Sequence, residues 1–175
     1  NQSHMQYQPS SFNIIVSGNQ VLSDGPNHEL FRQYKEEWNY MMDQIMANHI
    51  DGVIFLSGDM HFTELSRETR TTNDPENGKK SQYTFHDITI SPLTARVNKT
   101  PNENSLRVDI FPDTDRDYIT QRNFATLEFT GPKTDRVMTV KIYDTHGKLL
   151  NGKPEGNKDE VTKPWIFHAQ DMKAP

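Results

Sequence analysis

An acid and an imidazole, Asp59 and His61, are the side chains best suited to chemistry, and they follow a strongly apolar run. In extended backbone, residues i and i+2 point to the same side, so the carboxylate and the ring can face one space. A converging oxygen donor and nitrogen donor suit a divalent or trivalent metal ion. The alternative is an ordinary loop in which these side chains cap the next segment and bind no ligand. The pair is therefore a candidate for metal ligation and catalysis.

The apolar run over residues 53–56 positions this pair. No polar residue interrupts it, which predicts a strand covered on both faces, as in a parallel sheet with helices above and below. Ser57 ends the run, and Gly58 leaves room for a tight exit and for the close approach of an ion. Open α/β sheets bind ligands beyond the carboxyl ends of their strands. The sequence therefore predicts Asp59 and His61 at such an edge.

A second predicted strand, residues 12–16, ends in the same Ser-Gly pair and is followed by Asn19 and Gln20. Two strands that leave a sheet alike can deliver polar side chains to one crevice, so both amides are candidates for supporting ligand positions. A glycine turn with exposed amides is the alternative. Glu64 lies three residues after His61 and can orient its ring by accepting the second N–H, with a surface salt bridge as the alternative.

The remaining periodicity predicts a coarse architecture. Apolar residues at spacings of three and four predict an amphipathic helix from Leu30 to Ile45, and hence a right-handed parallel strand-helix-strand crossover. Residues 62–67 are predicted as a short turn of helix and residues 69–81 as a surface loop. Further strands are predicted over residues 83–90, 123–129, 137–143 and 165–167. These elements predict an α/β (α+β) fold.

Composition bounds the functions. The 175 residues suffice for one domain or a piece of one, and the net charge of −5 gives no electrostatic case for nucleic acid or an anionic membrane. No apolar stretch approaches the roughly 20 residues of a membrane span. Because the chain lacks cysteine, any metal ion must be held by oxygen and imidazole ligands. Residues 1–11 are predicted to be an expression-tag remnant and mobile start, and residues 151–175 a flexible tail with a docking segment.

Several blocks, in order, resemble one family. The sequence resembles the C-terminal part of PhoD-like alkaline phosphatases, which are calcineurin-like metallophosphoesterases. The resemblance lies in residues 14–22, the helix around Trp38, and residues 52–66, 88–94 and 122–129. The resemblance covers residues 12–150 as the C-terminal half of such a domain. It implies a metallophosphoesterase-type β-sandwich flanked by helices, with a multinuclear metal site at its edge. Asp59 and His61 match the two ligand positions of the family's Gly-Asp-x-His motif.

The resemblance implies a metal-dependent phosphoric ester hydrolase, in which metal ions polarise the phosphoryl group and supply a hydroxide for in-line attack. The implied cofactors are iron and calcium, with zinc or manganese as alternatives. The implied substrates are phosphate monoesters and diesters. The family likeness also implies an extracytoplasmic location, either periplasmic or secreted.

One departure from the family pattern limits this expectation. The family's earlier metal motifs, an Asp-rich strand end, a second aspartate and an Asn-containing element, are not found in this sequence. Met60 also stands where many members carry arginine. The chain is therefore expected to be a C-terminal fragment that needs its N-terminal part, is inactive alone and self-associates through an uncovered face. The competing hypothesis is a non-catalytic β-rich binding or structural module in which Asp59 and His61 are loop residues.

Overall fold

A computed structural model describes residues 10–24, 29–73, 78, 80–99, 118–151 and 164–174. The strands within these ranges are β1 (Asn13–Val16), β2 (Val53–Ser57), β3 (Thr63–Asn73), β4 (Lys80–Thr89), β5 (Tyr118–Ile119), β6 (Asn123–Thr130), β7 (Val137–Asp144) and β8 (Trp165–His168). The helical elements of the same ranges are α1 (Lys35–Ala47) and short 3-10 turns at Phe31–Gln33, Lys133–Asp135 and Ala169–Met172. The fold is therefore mixed α/β and is dominated by strands.

The larger sheet has the strand order β1-β2-β4-β3-β5. Its first three strands are parallel, with Ile14 opposite Ile54 and Leu56 opposite Ile88. β3 and β5 run antiparallel to their neighbours. The chain passes from β1 through α1 to β2, so the predicted parallel strand-helix-strand connection is confirmed. The carboxyl ends of β1, β2 and β4 therefore meet at one edge of this sheet.

The smaller sheet, β6-β7-β8, is antiparallel and packs against one face of the larger sheet. Alternation along β7 provides the contact, because Met138, Val140 and Ile142 are fully buried while the residues between them are partly exposed. The two sheets share a sandwich core, formed by Ile54, Leu65, Ile88, Ile119, Met138, Val140, Ile142, Trp165, Phe167 and Met172. The described part of the chain is thus a two-sheet sandwich.

The helix α1 covers the opposite face of the larger sheet. Trp38, Met42 and Ile45 recur at spacings of four and three, which brings them to one buried side of the helix. They belong to a helix-side core formed by Val21, Leu22, Trp38, Met42, Ile45, Val53, Phe55, Tyr83 and Phe85. The guanidinium groups of Arg32 and Arg70 lie 4.4 and 4.3 Å from the Trp38 ring centroid, where cation–π attraction holds them.

The strand β2 is buried on both faces, as its uninterrupted apolar run predicts. Ile54 points into the sandwich core and Phe55 into the helix-side core, and both side chains are fully buried. Close packing on both faces of the sheet holds β2 in position between the two cores. The point at which β2 ends is therefore defined by the rest of the fold.

The prediction of a helical turn over residues 62–67 is wrong, and so is part of the loop predicted over residues 69–81. β3 runs through the first segment and into the second, in continuous antiparallel register with β4. The strand is stabilised by its pairing with β4, which a local pattern of threonines and charges does not reveal. Arg67 and Thr69 lie on the same face of β3 and are exposed, so this face accommodates polar side chains.

The strands predicted over residues 83–90, 123–129, 137–143 and 165–167 are confirmed as β4, β6, β7 and β8. The helix α1 begins at Lys35, later than predicted, because a 3-10 turn at Phe31–Gln33 precedes it. Residues 1–9 of the predicted mobile start and residues 152–163 of the predicted tail lie outside the described residues. Within the described ranges, no helix combines the length and the apolar character that a membrane crossing requires.

Candidate metal-binding loop and the polar network beneath it

The candidate pair lies in the 58–62 loop, which joins β2 to β3 at the carboxyl edge of the larger sheet. This loop adjoins the segment that follows β1. A Cβ atom built on Gly58 would lie 3.6 Å from the carbonyl oxygen of Gly18, so the two Ser-Gly exits are neighbours in space. The expectation that the two strands end side by side is therefore confirmed, and the expectation that their polar side chains share one crevice stays a prediction. Asn19 is half-buried there, and its carbonyl oxygen accepts a 2.7 Å hydrogen bond from the Ser17 hydroxyl.

The backbone of the 58–62 loop is not extended, and the premise of extended backbone at the candidate pair is wrong. Asp59 has φ +64° and His61 has φ +61°, so both adopt the left-handed conformation. The Met60 N–H donates to the Gly58 carbonyl oxygen at 2.8 Å, which closes a tight turn directly after the strand. Aspartate and histidine are among the non-glycine residues that tolerate this conformation best. The strand ends too abruptly for its period of two to continue through the pair.

Buried and exposed residues alternate along the 58–62 loop, although its backbone is not that of a strand. Met60 and Phe62 are buried and pack with Leu30 in a small cluster of their own. Asp59 is exposed, and His61 is partly exposed. The apolar residues thus anchor the loop, while Asp59 remains exposed and His61 partly exposed.

Hydrogen bonds from the segment after β4 hold the 58–62 loop in place. The His61 N–H donates to the Ser91 hydroxyl at 2.8 Å, and the His61 carbonyl oxygen accepts from the Asn98 N–H at 2.8 Å. At the start of β3, the Thr63 hydroxyl donates to the Asn123 side-chain oxygen at 2.8 Å. The backbone of His61 is therefore fixed on both sides, and the loop is tied to the smaller sheet.

A buried polar network lies beneath this edge, and it contains two of the predicted supporting residues. Gln20 and Glu64 are fully buried, and the Gln20 side-chain N–H donates to Glu64 Oε1 at 2.5 Å. The same nitrogen donates to the Thr89 hydroxyl at 2.7 Å. For Gln20, the alternative of a glycine turn with an exposed amide is therefore wrong. Whether Glu64 orients the His61 ring stays a prediction.

The network continues to a carboxylate that sequence reasoning missed. The hydroxyls of Thr89 and Ser57 lie 3.0 Å apart, and the Ser57 hydroxyl donates to Asp87 Oδ1 at 2.7 Å. Asp87 Oδ2 accepts the backbone N–H groups of Val21 and Leu22 at 2.7 and 3.1 Å. Asp87 is fully buried on β4. The signal that could have found it is its place two residues after Phe85 and four after Tyr83, on the face of β4 that carries these buried rings, where a charged residue is rare unless its charge has partners.

Burial raises the pKa of Asp87 above its ordinary value of 3.8, and the nearby Glu64 carboxylate acts in the same direction. The hydrogen bonds from Ser57, Leu22 and Val21 stabilise the ionised form and offset part of this rise in pKa. Three donors on one carboxylate are what a buried acceptor requires. The network therefore satisfies Asp87 through neutral donors.

The donor types at the 58–62 loop suit a metal ion, but the set is incomplete. A carboxylate and an imidazole are ordinary ligands of zinc, manganese and iron. In the described part of the chain, no three Asp, Glu, His or Cys side chains cluster closely enough to hold an ion. Asp59 and His61 therefore fit as a portion of a metal site.

Comparisons with known proteins give no relative for this chain. Models of protein families, curated proteins and solved structures were each searched, and none of the three searches found a match.

Proposed function

We propose that this chain is the C-terminal part of a PhoD-like, metal-dependent phosphoric ester hydrolase, with Asp59 and His61 among its metal ligands. The observation that carries the proposal is the left-handed conformation at both residues, with φ +64° and +61°. Each such non-glycine residue costs about 1–2 kcal/mol. Strain of this kind persists where the surroundings enforce it, and it concentrates at functional sites. Here the surroundings are the packing of Met60 and Phe62 against Leu30 and the hydrogen bond from the His61 N–H to the Ser91 hydroxyl.

An ion bound at this loop would polarise a phosphate ester and supply a hydroxide nucleophile. The chain's own contribution is to hold the Asp59 carboxylate and the His61 imidazole on the accessible side of a loop with a fixed backbone. Gln20 and Glu64 support the start of β3 directly after that loop. Two ligands cannot hold a multinuclear centre, so the proposal requires further ligands from an N-terminal part of the same enzyme.

Metal binding by the 175-residue chain tests the role of the pair. Mn²⁺ is expected to broaden the amide NMR signals of Asp59, Met60 and His61 at millimolar concentration, because two accessible donors bind an ion weakly. The variants Asp59→Asn and His61→Asn are expected to abolish this broadening. A matched control exists, since Asp144 and His146 have the same Asp-x-His spacing at the end of β7.

In that control motif, the Asp144 carboxylate already accepts the backbone N–H groups of His146 and Lys148 at 2.8 Å. His146→Asn should therefore leave the Mn²⁺ effect at the 58–62 loop unchanged. Equal broadening at both motifs would show that the spacing alone attracts the ion. No broadening at Asp59 and His61 would contradict their role as ligands.

Hydrolysis of p-nitrophenyl phosphate tests the reaction class. The 175-residue chain alone is expected to show no hydrolysis, because it lacks most of the metal ligands. The product of the full coding sequence is expected to hydrolyse the ester, and Asp59→Asn or His61→Asn should lower kcat/KM by at least the roughly 10–100-fold that loss of a metal-supporting residue costs. His146→Asn should have no effect.

Hydrolysis by the 175-residue chain would contradict the proposed division of the site. A full-length product that neither binds a metal ion nor hydrolyses phosphate esters would favour the non-catalytic binding or structural module instead.

A further inference from the structure

A single buried carboxylate joins the two strand exits at the candidate edge. Asp87 Oδ2 accepts the N–H groups of Val21 and Leu22, which follow β1. Asp87 Oδ1 accepts the hydroxyl of Ser57, the last residue of β2 before the 58–62 loop. The segment after β1 and the stem of the 58–62 loop are thus joined through one side chain.

The hydrogen-bond directions in this network depend on an acceptor at position 87. The amide nitrogen of Gln20 can only donate, so the Thr89 hydroxyl accepts from it and is free to donate onward to Ser57. The Ser57 hydroxyl then donates to Asp87. A donor group at position 87 would make the Ser57 hydroxyl accept, and would thereby reverse the direction of this chain.

We propose that Asp87 is a positioning residue that sets the 58–62 loop against the segment after β1, and so places Asp59 and His61 for binding a metal ion. The proposal rests on the proposed function for its metal-binding part. Asp87 is fully buried and acts through Ser57, Val21 and Leu22 rather than by touching an ion or a substrate.

The variant Asp87→Asn keeps the shape of the side chain and replaces one acceptor oxygen with an NH₂ donor. If the amide oxygen faces Val21 and Leu22, the NH₂ group faces Ser57 and reverses the hydrogen-bond chain. If the amide is turned over, the NH₂ group faces two backbone N–H groups. The first orientation reverses the hydrogen bond to Ser57, and the second sets a donor against the backbone N–H groups of Val21 and Leu22, so each changes a contact that Asp87 makes.

Ile88→Val is the matched control. Ile88 is the adjacent residue on β4 and is also fully buried, but it points into the sandwich core, away from the network. Its truncation lowers stability without touching either loop. The control therefore separates positioning from a general loss of stability.

The experiment records amide NMR spectra and Mn²⁺ titrations of the 175-residue chain and both variants. Asp87→Asn is expected to shift the amide signals of Val21, Leu22 and the 58–62 loop together, and to raise the Mn²⁺ concentration for half-broadening about tenfold or more. Ile88→Val is expected to leave both measurements unchanged. A folded Asp87→Asn variant with unshifted loop signals, or with the Mn²⁺ response of Ile88→Val, would overturn the proposal.

Two further arms keep the outcomes distinct. If Asp87→Asn does not fold, Ser57→Ala removes one link only and should shift the signals of the 58–62 loop and of Val21, while unshifted signals would overturn the proposal. If the wild-type chain shows no Mn²⁺ effect at Asp59 and His61, the proposed function fails. The positioning role is then decided by the amide signals alone, and it is overturned if Asp87→Asn leaves the loop signals in place.

Discussion

Replacing Phe55 with alanine is expected to lower the free energy of unfolding by roughly 3–5 kcal/mol, because the change removes a fully buried ring and leaves a cavity. The ring lies at the centre of the helix-side core and stacks with Phe85 at a centroid distance of 6.2 Å. Phe55 also pairs with Asp87 across β2 and β4, so the cavity would open beside the buried network. Urea unfolding followed by circular dichroism measures the effect.

Phe124→Ala is the control for this prediction. Phe124 is 39% exposed on β6 and stacks with Tyr143 at 5.6 Å, so its loss should cost about 1 kcal/mol or less. Equal losses for Phe55→Ala and Phe124→Ala would mean that the helix-side core contributes little to the stability of this chain.

Acidification below pH 6.5 is expected to destabilise the chain through His86, and His86→Leu should remove most of this effect. Burial, together with the smaller effect of the charge of Arg67, lowers the pKa of His86 from 6.5 to about 4. The ring packs edge-on against Phe167 at 5.1 Å, and its Nδ1 atom is buried without a hydrogen-bond partner in the described structure. The folded state therefore favours the neutral imidazole.

The sign follows from the proton bound by each state. Between pH 6.5 and about 4 the unfolded chain binds a proton at His86 and the folded chain does not, so stability falls as the pH falls. The difference in pKa corresponds to about 3 kcal/mol. The raised pKa of Asp87 acts in the opposite direction, but it is present in both proteins and cancels from their difference.

Unfolding free energies at several pH values between 7 and 4 measure this prediction. The wild type should lose about 3 kcal/mol more than His86→Leu over that range. His146→Leu replaces an exposed histidine and should follow the wild-type curve. Parallel curves for the wild type and His86→Leu would show that the interior of the sandwich tolerates a charged imidazole.

The sequence predicted those elements whose own side chains carry the signal. The run over residues 53–56 has no polar interruption, so its burial on both faces was predictable. The predicted stripe of Leu30, Tyr34, Trp38, Met41 and Ile45 placed Trp38 and Ile45 correctly on the buried side of α1, whereas Tyr34 is exposed. β3 was missed because its strand state depends on pairing with β4, and residues such as Arg67 and Thr69 give no local apolar alternation.

The candidate edge was predictable only where its own residues carry the signal. The repeated Ser-Gly pairs after β1 and β2 indicated that the two exits meet, and Gly58 does lie beside Gly18. The left-handed backbone at Asp59 was not predictable, because two of the contacts that hold its loop, the packing of Leu30 and the hydrogen bond to Ser91, come from residues distant in sequence. Asp87 was missed because its donors come from the end of β2 and from the segment after β1, which only the fold brings to it.

The two tryptophans of this chain lie on opposite sides of the larger sheet, Trp38 in the helix-side core and Trp165 in the sandwich core. Indole fluorescence depends on the solvent and the charges around the ring, so each tryptophan serves as an internal probe of one layer boundary. The variants Trp38→Phe and Trp165→Phe leave one emitter each. Comparing their emission during denaturation would tell whether the helical layer and the smaller sheet detach in a single cooperative event or in succession.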